Sequence, residues 1–299
     1  MITKINRRIE HVATLIRLLP FKRKRYQQIS KINLVYHIAP LRSNDIWRVN
    51  IGLLRPHLHK FDRLVIGVAS GSDMVPLESV RKELEGYPVE WIVRPNNTML
   101  GEAATFPELL NTVASRDPTE ATFYGHTKGV SKPGDTAVDM WRKTLYHSCL
   151  SNVDEVKNIL TRYACAGPYK KRGRIDADFS VDQASFHFSG SFFWFRNDQI
   201  FSNPAWMKVR QYRYGVEEYL GRMLQAEDAA CLYGDYSGNL YEVNEVRKSA
   251  NCLISIGRML GHSGQSRFRK VFKVSVAIIC CKVATYSHSM VAGGLLEMS

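Results

Sequence analysis

The sequence predicts an α/β fold, a mainly parallel sheet flanked by helices, and three observations predict it. Compact apolar runs of strand length recur at Ile32–Ile38, Leu64–Ala69, Val89–Val93 and Ala121–Gly125. Between each pair lies a segment with apolar residues at helical spacing. The alternation of strand and helix holds for four strands in a row, which argues for a mainly parallel sheet covered on both faces by crossover helices.

Each element follows in turn. After the first strand, Ser43, Asn44 and Asp45 can cap a helix whose apolar stripe is Trp47, Ile51, Leu54 and Leu58. After the second, Gly71-Ser72-Asp73 turns the chain and Pro76 opens a helix with Val80 and Leu84 on one face. The third strand ends at Arg94-Pro95-Asn96-Asn97, and Glu102–Ala114 reads as a helix with Pro107 near its start. Past the fourth strand, Val138, Trp141, Leu145 and Cys149 form one helical stripe, and Val153, Val156 and Leu160 a second. Residues 164–185 read as a loop with a basic knot at Lys170–Arg174, Phe186–Arg196 as one aromatic strand, and Val216–Ala226 as a last helix.

The 299 residues are 45% hydrophobic, ample for a core. The net charge of +13 sits at the ends. Residues 1–30 carry +7 and residues 251–299 carry +5, leaving +1 for the middle. A nucleic-acid reader spreads positive charge over its folded face, so polynucleotide binding is not expected. The six cysteines show no zinc or disulfide spacing, which suits a reducing compartment. The N-terminus lacks a signal-peptide pattern, and the apolar stretch Val271–Ala284 is interrupted by lysines and too short to span a bilayer. Cytoplasmic location is the expectation. Ile2, Ile5, Ile9, Val12, Ile16 and Leu19 recur at helical spacing before the basic cluster 21–25, so residues 1–25 are a candidate contact with an anionic membrane at its inner face. A helix packed on the domain is the plainer alternative. The expected organisation is a basic extension (1–30), the α/β domain (31–250) and a basic, partly disordered C-terminal extension (251–299).

Ligands of open parallel sheets bind at the carboxyl ends of the strands. His37 falls near the end of the first strand, Asn96 and Asn97 follow the third, and His126, Thr127, Lys128 and Gly129 follow the fourth. Lys128 can neutralise phosphate as a point charge, Gly129 can admit a ligand to the backbone, and His126 can hydrogen-bond a phosphate or hydroxyl, or ligate a metal. The same four residues also read as a polar turn with an exposed lysine. Ser189-Gly190-Ser191 interrupts an aromatic row, either as a bulge against a ligand, with Trp194 among the stacking rings, or as ordinary strand packing. Glu217 and Glu218 sit where a helix start favours carboxylates, and one of them can serve as a general base. Asp176-Ala177-Asp178 has the D-x-D spelling used to hold a divalent metal and diphosphate, but it lies in a charged loop. No dinucleotide loop, P-loop, nucleophile elbow or zinc helix is spelled out.

The order of VYHIAP, Trp47-Arg48-x-Asn50, Glu102 with Phe106, YGHTKGV, Trp141-Arg142, HFSGSFFWFR and Gly215-Val-Glu217 resembles bacterial glycosyltransferase-like proteins related to those of polysaccharide and rhamnan synthesis. The resemblance covers roughly residues 31–235. It implies a GT-A-like, Rossmann-related fold with a nucleotide-sugar donor over the first half of the sheet, bound by His37, Asn96, Asn97, Thr127 and Gly129. It implies catalytic roles for Glu217, His126 and Lys128, with Glu217 the base in an inverting enzyme. Ser189, Gly190, Ser191 and Trp194 would face a glycan or lipid-linked acceptor. The HTKG turn stands where such enzymes carry a metal-binding D-x-D, so Lys128 or His126 can stand in for Mn2+ or Mg2+, or a metal is held elsewhere. Two other readings remain open. One is a non-catalytic nucleotide-sugar-binding module. The other is an S-adenosylmethionine-dependent methyltransferase, which the Ala39-Pro40-Leu41 turn disfavours for want of glycine.

Overall fold

The computed structural model describes residues 25–172, 184–233 and 240–241. The N-terminal amphipathic segment with most of its basic cluster, the Asp176-Ala177-Asp178 triplet and the basic C-terminal extension lie outside these residues.

A seven-stranded sheet organises the chain, in the order β3-β2-β1-β4-β8-β5-β9. Its strands are β1 (Lys31–Ile38), β2 (Arg63–Ser70), β3 (Val89–Pro95), β4 (Glu120–His126), β5 (Cys165–Pro168), β8 (Phe193–Arg196) and β9 (Ala229–Tyr233). All neighbouring pairs are parallel except those of β8, which runs antiparallel to both β4 and β5. A separate antiparallel ribbon pairs β6 (Lys170–Arg172) with β7 (Phe186–Phe188). The mainly parallel α/β sheet is the architecture that the alternation of strand and helix predicts, and β1 and β2 are buried along nearly their whole length.

Helices α1 (Ile46–Leu54), α2 (Leu77–Glu83), α3 (Phe106–Thr112), α4 (Thr136–Leu150), α5 (Val153–Leu160), α6 (Asn197–Phe201) and α7 (Tyr219–Met223) flank the sheet. Their starts carry local signals. Asp135 accepts from the Val138 N–H at 3.0 Å to open α4, and Asn152 accepts from the Glu155 N–H at 3.1 Å to open α5. Pro107 sits in the first turn of α3, where its missing N–H costs nothing. The expected helix from Glu102 is therefore two pieces, a 3-10 turn over Gly101–Ala104 and then α3.

Aromatic rings fill the core. On one face Phe106 packs edge-on against Tyr124 and Tyr219, with centroids 4.7 and 5.0 Å away. On the other, Trp194 stacks on Phe61 at 5.7 Å and leans on Phe123 at 5.2 Å.

Three expectations change. Phe186–Arg196 is not one strand: Gly190 (φ +97) and Ser191 (φ +53) reverse the chain, and the Ser191 N–H donates to the Phe188 carbonyl at 3.1 Å. The first half joins the ribbon and the second joins the main sheet. Residues 164–185 are not simply loop, since Cys165–Pro168 is a buried strand between β8 and β9. The last helix is shorter than 216–226. It begins at Tyr219 and stops at Leu224, because Gln225 and Asp228 form a capping box that starts a new 3-10 turn, Ala226–Asp228.

Candidate functional site

From β1 the chain moves outward to β2 and β3, and only later adds β4 on the other side. This is the reversal of strand order that opens a crevice at the carboxyl ends of the strands. A cleft of about 800 Å³ lies there. His37 and His126 are register partners on β1 and β4, so the two histidines stand side by side on its floor.

The turn after β4 is fixed from several sides. The Thr127 N–H donates to the His37 carbonyl at 3.0 Å, and Thr127 Oγ1 accepts from the Ala39 N–H at 2.9 Å. Asn50 accepts from the Lys128 N–H at 3.0 Å and donates to the Lys128 carbonyl at 3.1 Å. Arg142 donates to the same carbonyl at 3.2 Å. Lys128 is thus not an exposed lysine on a free turn. Its Nζ lies 3.7 Å from the centroid of the Trp141 ring, inside the cleft. Burial, opposed by the Glu217 carboxylate and aided by Arg213 and Lys132, pulls the Lys128 ammonium down to about 8.

Gly129 has φ +82, and a Cβ there would stand 2.6 Å from Val138 Cγ1. The space a Cβ would need at this glycine is thus taken by α4, and Gly129 also lines the cleft.

A carboxylate organises the cleft's centre. Glu102 Oε2 makes a short contact with His126 Nδ1 and accepts from the Tyr124 hydroxyl at 3.0 Å. Its Oε1 accepts from Ser191 Oγ at 2.7 Å. His37 Nδ1 is 2.7 Å from Thr105 Oγ1. Burial lowers His37 to about 4. Burial also lowers His126 well below its usual value, and Lys128 and His37 add to that. Both imidazoles are neutral near pH 7.

No protein-family model matches the chain, and no curated protein is similar to it by sequence. Among solved structures it is similar to HddC from Yersinia pseudotuberculosis, with TM-score 0.36 and 10% identity over 74% of this chain and 99% of that one. It is also similar to a 4-diphosphocytidyl-2C-methyl-D-erythritol synthase, with TM-score 0.34 and 12% identity over 68% and 89% of the two chains. Likeness of this size carries nothing about activity, so the chemistry is read from the cleft itself.

The far wall comes from the turn between β7 and β8 and from the segment before α7. Ser189, Gly190 and Ser191 line it, with Glu217 Oε1 accepting the Gly190 N–H at 3.0 Å. Glu217 is not in a helix's first turn, since α7 begins at Tyr219. Gly190 is packed on α4, where a Cβ would stand 3.0 Å from Leu145 Cδ1.

The cleft brings together His37, Asn96, His126, Thr127, Lys128, Gly129, Ser189, Gly190, Ser191 and Glu217. Two sequence candidates fall outside it. Asn97 uses its side-chain oxygen to cap the turn at Met99 and Leu100. Trp194 is a core residue, fully buried, whose Nε1 donates to the Cys149 carbonyl at 3.0 Å. Glu102, Lys171, His187 and Arg213 also line the cleft, and Asn50 supports it, without being sequence candidates for the site. Asn50 and Glu102 stood within the motif order, which was the one available signal. Lys171 and His187 meet only because β6 and β7 pair, which no local pattern showed.

Among the described residues no three His, Cys, Asp or Glu come together as a metal site, and His126 and Glu102 are engaged with each other.

Proposed function

We propose that the chain is a glycosyltransferase that moves a sugar from a nucleotide-sugar donor to a polysaccharide or lipid-linked glycan acceptor. The observation that carries the reading is Lys128, held over the Trp141 face at the switch point of the sheet. A lysine so placed is a preorganised partner for the charge that grows on a departing diphosphate.

In this reading the donor lies over β1 to β4, with His37, Asn96 and Thr127 near it and the diphosphate against Lys128. The acceptor lies against Ser189, Gly190, Ser191 and Glu217. Two groups in the cleft can take the acceptor's proton, Glu217 and His126. The glycan class of the acceptor rests on the HTKG and SGSFFWFR resemblance. A membrane-bound acceptor at the inner face also gives the basic segment 1–25 a use. Among the described residues no helix is long and apolar enough to cross a membrane.

A panel of nucleotide sugars, followed by release of nucleoside diphosphate with and without lipid-linked glycan, tests the reading. Turnover of at least one donor is expected. Nucleotide binding without turnover of any donor would leave a binding module, and selective binding of S-adenosylmethionine would replace the reading with a methyltransferase.

A further inference from the structure

A neutral histidine has one donor nitrogen and one acceptor nitrogen, and the hydrogen bond at one fixes the role of the other. Glu102 settles this for His126. Its Oε2 faces Nδ1, while the hydroxyls of Tyr124 and Ser191 donate to the same carboxylate. With two hydroxyls already donating to it, this carboxylate is placed to accept an Nδ1–H as well, which leaves a lone pair on Nε2. The His126 side chain is 16% exposed and lines the cleft, so this remaining nitrogen is within reach of a ligand.

We infer that His126 and Glu102 form a carboxylate–imidazole dyad, in which Glu102 holds the Nδ1–H tautomer and His126 Nε2 takes the proton of the attacking hydroxyl. This rests on the transferase reading of the cleft. The hydroxyl proton passes to Nε2 as its oxygen bonds to the anomeric carbon. The bond from that carbon to the diphosphate oxygen breaks, and its electron pair leaves with the nucleoside diphosphate towards Lys128. The imidazolium formed is balanced by Glu102. His126 is then the catalytic residue, and Glu102 is a positioning residue.

The surroundings favour a hydroxyl at Nε2 over a phosphate. A lone pair repels anionic oxygen, so the diphosphate falls to Lys128. Lys128 and His37 both disfavour an imidazolium in the resting cleft, and the Phe192 ring, edge-on at 5.7 Å, adds no charge. Glu217 is the other carboxylate of the wall. It is tied to the Gly190 N–H and faces Lys128 and Lys171, a setting for holding acceptor hydroxyls.

Two measurements on the full chain test this. The first is the 15N shifts of the His126 ring at pH 7.5, without substrate. The Nδ1–H tautomer is expected, and an Nε2–H tautomer or an imidazolium overturns the dyad. The second is the pH profile of kcat for Glu102→Gln. Loss of the carboxylate should lower kcat roughly 10- to 100-fold with KM little changed, and should move the acidic limb to lower pH. An unmoved limb with full kcat overturns the role of Glu102. If Glu102→Gln fails to fold, the wild-type ring shifts decide alone. Failure of every donor to turn over would remove the transferase reading, whereas the tautomer measurement would still report on the dyad.

Discussion

Asn50 holds Lys128 by both of its backbone polar groups, accepting from the N–H at 3.0 Å and donating to the carbonyl at 3.1 Å. The amide is fully buried, and its oxygen also accepts from the Tyr146 hydroxyl at 3.0 Å. Tyr146 in turn meets the Tyr36 hydroxyl within the core. The position of the cleft lysine is thereby set by groups on β1, α1 and α4.

Replacing Asn50 by alanine leaves the Lys128 N–H without its partner and takes one partner each from the Lys128 carbonyl and the Tyr146 hydroxyl, which keep Arg142 and Tyr36. Each such loss costs about 1–3 kcal/mol where water cannot reach. The expected result is a destabilisation of roughly 2–4 kcal/mol in urea, with weaker nucleoside diphosphate binding by the fraction that stays folded. Unchanged stability and binding would show that the clamp does not position Lys128.

Gly129→Ala introduces a left-handed side chain 2.6 Å from Val138 Cγ1. Left-handed backbone costs roughly 1–2 kcal/mol and core overpacking roughly 1–3. A loss of about 2–5 kcal/mol follows, and pairing it with Val138→Ala should recover part of that loss in a double-mutant cycle.

Stability should fall on acidification. His37 is lowered to about 4 by burial, from 6.5 when exposed. The unfolded chain therefore binds the proton first as pH falls. The contribution is whole above about 6.5 and is lost progressively from there towards 4, a change of roughly 3 kcal/mol. His126, lowered by the same burial, acts in the same direction. Chemical denaturation at pH 7 and 4.5 reads the slope, and His37→Gln should make it shallower.

Lys128 titrates near 8. Its charge is present below that pH and is lost as pH rises through it, so diphosphate affinity should decline between pH 7.5 and 9.5. Lys128→Arg stays charged throughout and should flatten that decline. A decline of equal size in the arginine variant would place the titrating group elsewhere.

The first half of the sheet was legible because β1, β2 and β4 are continuous apolar runs buried on both faces. Helix α4 was legible for the same reason on its stripe through Trp141 and Leu145. Cys165–Pro168 was not, because a four-residue strand reading Cys-Ala-Gly-Pro has no apolar run, and its burial comes from its neighbours β8 and β9. Phe186–Arg196 was misread because apolar continuity is blind to a turn made by Gly190 and Ser191. Within the site, strand ends pointed to His37, His126 and Lys128. Glu102 escaped because its role depends on contacts with Tyr124, His126 and Ser191, which lie 22, 24 and 89 residues away in the chain. Arg196, the last residue of the aromatic motif, is fully buried and donates to the carbonyls of Gln27 and Leu160, so it staples the fold and stands apart from the cleft.

The central claim is that this cleft binds the diphosphate of a nucleotide sugar at Lys128. Isothermal titration of the full chain with UDP, GDP and deoxythymidine diphosphate, repeated on Lys128→Ala, tests it most directly. At least one nucleotide should bind, and the variant should bind it at least tenfold more weakly while melting near the wild-type temperature. Binding of none of them, or equal affinity in a folded Lys128→Ala variant, would contradict the assignment.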